Sequence, residues 1–243
     1  MNGKHISIFL SVMAFAWFCI GAEDKVQKEE TVVCKLRTLS NKSKLSAETI
    51  GTELQVLAKQ PLSKGAIEFS IALSNHSEKK VVFQADAFLD AMLISLKHKS
   101  DSSISLPENV RFLINAPVLP PRPYTISGWR IVTELPDGTT TTKELSSTIL
   151  QSNDPKVLHK EKIEIPALST LIIDFKIVTL ARTKQIQQRA EIEKVGIVEG
   201  EYTIGLSMLL SLHEDDSSKE FIRFGVENPV VLTVFQDTGA KHE

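Results

Sequence analysis

Histidine, cysteine, serine and carboxylates supply most of the chemistry a protein can do, and their spacing decides whether they can act together. Here His76, His98, His159, His213 and His242 are scattered along the chain with no local ligand spacing between any two of them. The densest set of potential ligands is His213 with Glu214, Asp215 and Asp216. It lacks the alternating oxygen ligands and the glycine of a calcium loop, and reads as a solvated turn. No serine sits in a glycine-flanked nucleophile elbow. Gly196, Gly200 and Gly205 have the wrong spacing to cradle phosphate and lead into a strand. Neither a catalytic residue, a metal site nor a cofactor is expected. A hydrolase stands as an alternative only if distant loops bring His98, His159 and neighbouring acids together.

Recognition is better served than catalysis. Candidate partner contacts are Trp129, Arg122, Tyr124, Arg182 and Arg189, since large aromatic and guanidinium groups anchor interfaces. Pro117, Pro120 and Arg122 fit the spacing of a proline-rich ligand, although four prolines in APVLPPRP equally make a stiff crossover. Trp129 shares its parity with Ile131, which favours a core ring over the exposed face a glycan would stack on. Arg182, Lys184 and Arg189 alternate with Glu191 and Glu193. With a formal net charge of −2 on the whole chain, that mixture excludes a nucleic-acid stripe but leaves room for docking a protein.

These groups must be positioned by strands. In Ala66–Phe83, Ile67, Phe69, Ile71 and Leu73 alternate with smaller or polar residues, then SNHSEK interrupts before Val81. This predicts one dry strand face and a hairpin or tight arch. Leu171, Ile173, Phe175 and Ile177 make a second dry row, and Tyr202 to Leu212 a third, each expected to close a layer over the first. The flanks of Pro136, Asp137 and Gly138 predict a hairpin. Strands are also expected at Thr31–Leu36, Thr52–Ala58, the second half of Asp86–Lys97, Val110–Ile114, Val157–Ile165, Phe221–Val226 and, beyond a turn at Glu227–Pro229, Val230–Phe235. Good helix formers predict a short helix around 183–194, as a crossover, loop or docking insertion. The expected fold is an all-β sandwich with insertions. Its later strand pattern resembles immunoglobulin-like and fibronectin-like domains in architecture, without the paired cysteines of antibody domains.

Lys4, the apolar run Ile6–Ile20 and the acidic residues after Ala22 read as a cleavable leader over 1–22, removing Lys4 and making the remainder slightly more acidic. Secretion or periplasmic location follows, with signal or lipid anchoring as the alternative. Around Cys19, however, Trp17 and Phe18 stand where a lipidation motif wants small residues. Cys34 is then the sole cysteine, expected as a buried inert thiol. Residues 23–30 read as a disordered leader, 31–236 as one sandwich (alternatively modules 31–116 and 124–236), and 237–243 as a tail. Asn41 and Asn75 each open a glycosylation motif, Asn75 at a turn from which a glycan could point outward. The function expected is an exported, noncatalytic module that binds a protein or cell-surface glycan through loops or a sheet edge, with an assembly or chaperone-like subunit as a further alternative.

Overall fold

The computed structural model describes residues 30–41, 49–84, 92–106, 124–145, 162–186, 189–213 and 220–237. The leader, the Val110–Ile114 strand, the APVLPPRP segment and the turn after His213 (residues 214–219) lie outside them. The described chain is built almost wholly from strands that form two sheets.

In chain order the strands are β1 (Thr31–Lys35), β2 (Arg37–Asn41), β3 (Ile50–Leu57), β4 (Lys59–Pro61), β5 (Ile67–Asn75), β6 (Val81–Gln84), β7 (Leu93–His98), β8 (Ile104–Ser105) and β9 (Thr125–Glu134). They continue with β10 (Thr140–Glu144), β11 (Lys162–Ile165), β12 (Ser169–Ile177), β13 (Leu180–Ile186), β14 (Arg189–Val195), β15 (Gly200–His213), β16 (Glu220–Gly225) and β17 (Val230–Phe235). The first sheet runs β1-β3-β5-β12-β9-β10. The second runs β11-β6-β15-β7-β8-β13-β14, with β16 and β17 along the other edge of β15 and β2 and β4 outside them.

Register explains the first sheet. Leu54, Ile71, Ile173 and Trp129 lie directly across four adjacent strands and all are buried. One step along, Phe69 stacks on Phe175 at 5.0 Å between centroids, and Tyr124 meets Phe175 edge-on at 5.6 Å. Such offset and T-shaped contacts suit the ring quadrupole. Burying each large aliphatic side chain in such rows contributes about 1.5–3 kcal/mol. The hairpin at Pro136–Gly138 forms as expected: β9 and β10 are joined by a three-residue loop whose Gly138 has φ 81°, the left-handed geometry such loops require.

The second sheet is organised by β15, the long alternating run. Tyr202, Ile204, Leu206, Met208 and Leu210 point into a single core shared with the first sheet. Its first half pairs with β7 and β17, its second half with β6 and β16. The segment Glu227–Pro229 therefore does not reverse the chain. It is an interruption in one continuous edge, where Val226 donates to the Leu206 carbonyl (2.9 Å) before β17 resumes in the same direction.

Several strands change sheets. β1 passes into β2 at Leu36, β3 into β4 at Ala58, and β5 into β6 through residues 76–80. The Ala66–Phe83 unit is thus an arch, not a hairpin. The β12 row is also no facing layer: it is the lateral neighbour of β5 in the same sheet, and the β15 row supplies the opposite one. Strands from both sides of the proline segment share each sheet: they meet at β5 and β12 in the first and interleave in the second. The second sheet carries more strands than the seven to nine of a whole immunoglobulin domain.

Two buried amides hold the crossings. Gln60, fully buried in β4, donates to the Glu68 carbonyl and accepts from the Glu68 N–H, both at 2.8 Å. It substitutes for a neighbouring strand at the end of β5. Asn75 does similar service at the other end. Its Nδ2 donates to the carbonyls of Lys79, Ile165 and Pro166, and its Oδ1 accepts from Ser77. With Asn75 only 1% exposed, the outward glycan expected there has no amide to attach to.

Where a helix is expected around 183–194, the described residues 183–186 and 189–194 form strands. β13 and β14 pair throughout, from Leu180 opposite Val195 to Ile186 opposite Arg189. Helix propensity is a weak prior that tertiary pairing overrides. The sequence does carry a signal for the hairpin: Arg182 faces Glu193 and Lys184 faces Glu191, so charges mirror about residues 187–188, as cross-strand pairing favours. Cys34 faces inward beside Val32 but is only half-buried, because β1 is an edge strand.

Tyr202 gives the fold an alkaline limit. Its hydroxyl donates to the Val198 carbonyl at 2.9 Å and accepts from the Val198 N–H at 3.2 Å. Burial pushes its pKa up, the bond to Val198 opposing this. A raised folded pKa means stability that is intact below the unfolded value near 10 and lost as pH rises through the folded one. Stability measured by denaturant titration should therefore fall above about pH 10. Tyr202→Phe should flatten that decline, and an unchanged slope in the variant would remove Tyr202 as its source.

Candidate partner-binding edge

The β13–β14 ribbon begins in the core and leaves it. Leu180 and Ala181 are buried, Arg182 is half-buried, and Thr183, Lys184 and Glu191 through Lys194 are exposed. Thr183, Lys184 and residues 191–194 have no apolar row to bury, so these side chains stay in water on both faces of the ribbon. Ile192 is 65% exposed, the most exposed of the large apolar side chains among the described residues.

The direction of its backbone groups follows from one hydrogen bond. Thr183 donates its N–H to the Ser103 carbonyl at 2.9 Å, on the side of β13 away from β14. In an antiparallel ladder, hydrogen-bonded and non-hydrogen-bonded pairs alternate. Thr183 and Ile192 are therefore a non-hydrogen-bonded pair, and Ile192, with Ala190 and Lys194 two residues to either side, turns its N–H and C=O to the outer side. Among the described residues β14 pairs with β13 alone, so within them this row is an open template for another strand. Lys184 bonds Glu193 at 2.7 Å and, as the main cause, holds that carboxyl below the usual range. Glu191 has no ion-pair partner among the described residues.

A second feature lies on the outer face of the first sheet, a cleft of about 380 Å³ lined by Gln55, Glu68, Ser70, Ser127 and Asp174 among others. Its serine at position 70 and both its carboxylates are engaged. Ser70 donates to Asp174 at 2.6 Å, Arg130 also holds Asp174, and Lys176 holds Glu68 at 2.8 Å. Among the described residues no imidazole or thiol borders it, and the carboxylate beside Ser70 is shared with Arg130.

Of the expected site residues, the described ones fall in two places, Trp129 and Tyr124 in the core and Arg182 and Arg189 on the ribbon. Trp129 and Tyr124 are 2% and 6% exposed, with the Trp129 ring in the core setting rather than the platform setting. Arg182 lies on β13 opposite Glu193, and Arg189 opens β14. Arg122 lies outside the described residues, as does His159. His98 is 9% exposed, with Nδ1 accepting from the Asp101 N–H and Nε2 beside the Glu199 carbonyl, so both ring nitrogens are engaged by backbone. His76 is exposed at the arch. Among the described residues no three His, Cys, Asp or Glu side chains are grouped to hold a metal ion, and no helix is long and apolar enough to cross a membrane. The feature that sequence reasoning missed is the outward row of β14, hidden because residues 183–194 suggested a helix.

Fold and edge together define an all-β sandwich bearing an open-edged ribbon. No protein-family model matches the chain, and no curated protein does.

Proposed function

We propose that the chain is a noncatalytic binding module, exported once residues 1–22 are removed, that holds an extended segment of a partner protein along β14. The observation that carries this reading is the outward row at Ala190, Ile192 and Lys194 on a strand with one neighbour among the described residues. Strand addition draws its affinity from main-chain hydrogen bonds and its specificity from alternate side chains, and this edge offers both. A cell-surface glycan finds less support, since Trp129 and Tyr124 are buried.

Proline at position 192 tests it. Ile192 turns its N–H away from β13, so Ile192→Pro deletes an edge donor while sparing the β13 ladder. Selection from a library of short extended peptides should yield ligands for the unmodified protein that Ile192→Pro no longer binds, with its thermal midpoint lowered by only a few degrees. Ligands that bind both proteins equally would place the contact elsewhere.

A further inference from the structure

The edge also carries a chemical preference, which rests on the strand-addition reading above. We propose that β14 selects a segment reading basic, apolar, basic, and rejects a second copy of itself. Residues whose backbone points outward must pair with outward residues of the incoming strand, so antiparallel self-pairing of β14 has few registers. The register centred on Ile192 sets Glu191 against Glu193 of the second copy, twice. The registers one allowed step to either side set Glu191 against Glu191, partly offset by Arg189 opposite Glu193, or Glu193 against Glu193. Each of the three longest overlaps places carboxylate directly across from carboxylate, which is destabilising, and edge charge of this kind guards against self-association.

The same charges recruit a different strand. Glu191 and Glu193 project to one face of the ribbon, Ile192 to the other. Lys184 already engages Glu193, whereas Glu191 has no such partner among the described residues. An antiparallel visitor therefore gains most from lysine or arginine opposite Glu191 and Glu193 and from a β-branched or aromatic side chain opposite the exposed Ile192. Lys194, next along, calls for an acidic residue opposite it, which sets the register.

The test uses two short threonine-rich peptides, one with a Glu-Lys-Val-Lys core and one with Lys-Glu-Val-Glu, binding followed by fluorescence anisotropy at low and high salt. The first peptide should bind about tenfold tighter than the second at low salt, and Glu191→Lys with Glu193→Lys should reverse the order. The protein alone should sediment as a species that Ile192→Pro does not change. Equal binding of both peptides, abolished by Ile192→Pro, would overturn the charge preference and leave the edge reading intact. Binding that Ile192→Pro leaves untouched, or binding of neither peptide, would overturn strand addition at this edge. Self-association abolished by Ile192→Pro would overturn the rejection of a second copy.

Discussion

Asn75→Ala should lower the unfolding free energy by about 3–4 kcal/mol, because each buried polar group left without a partner loses about 1–3 kcal/mol. Asn75 ends β5, and its amide bridges the arch at Lys79 (2.8 Å) to the β11–β12 link at Ile165 (3.2 Å) and Pro166 (2.9 Å). Its carbonyl oxygen takes the Ser77 N–H and hydroxyl at 3.0 and 2.7 Å. Alanine removes the amide donor from three carbonyls, of which only that of Lys79 has the Ser77 hydroxyl to fall back on (2.7 Å), and the acceptor from the Ser77 N–H, at the point where the chain changes sheets. Denaturant titration measures the loss, and a change under about 1 kcal/mol would mean water replaces the amide without penalty. Asn75→Asp separates shape from donor capacity. It keeps the acceptor for Ser77 but turns a charge toward carbonyl oxygens, so it should match or exceed the alanine loss at neutral pH. Part should return on acidification, when the carboxyl regains a proton to donate. The same bonds predict an unmodified Asn75 in protein made by a glycosylating host, read by peptide mass.

Gly200→Ala is the second large effect, about 3 kcal/mol or somewhat more, with a fall in thermal midpoint of about 6–12 °C for a chain of this size. Gly200 opens β15 with φ 142°, a conformation that side-chain-bearing residues avoid. A Cβ there would also lie 2.2 Å from His98 Nε2 and 2.9 Å from Cε1. The imidazole cannot swing aside without cost. It packs edge-on against Tyr202 at 5.0 Å, accepts the Asp101 N–H at 3.0 Å and sits 3.1 Å from the Glu199 carbonyl. His98→Ala paired with Gly200→Ala distinguishes the two causes. If the clash matters, the double variant should be less destabilised than the sum of the singles by about 1 kcal/mol or more. Strict additivity would assign the whole loss to the backbone and none to the imidazole.

Both predictions concern the joints where strands meet or leave the core, and these were the least legible features of the chain. The dry rows at Ile67–Leu73, Leu171–Ile177 and Tyr202–Leu212, and the loop at Pro136–Gly138, could be read directly, since a period of two and turn chemistry are local properties. Asn75 looked like a turn residue and a glycan acceptor because nothing local says that Ile165 and Pro166 will lie beside it. The Glu227–Pro229 segment looked like a reversal because proline and asparagine mark interruptions without saying whether the chain turns back or runs on. At 183–194 the helix propensity is a local preference, and it loses to the ladder with β13 that sets Arg182 opposite Glu193 and Lys184 opposite Glu191.

By itself, then, the sequence determined that this is an all-β protein with three apolar rows seeking a common core and no local catalytic or metal motif. Tertiary structure alone decided that β12 flanks β5 while β15 faces them, that Trp129 and Tyr124 are enclosed, and that Ile192 turns its backbone away from β13. The physical reason is range. Side-chain alternation is set by neighbours two residues apart, whereas pairing partners, sheet crossings and the direction of an unpaired N–H depend on contacts between distant segments that leave almost no local trace.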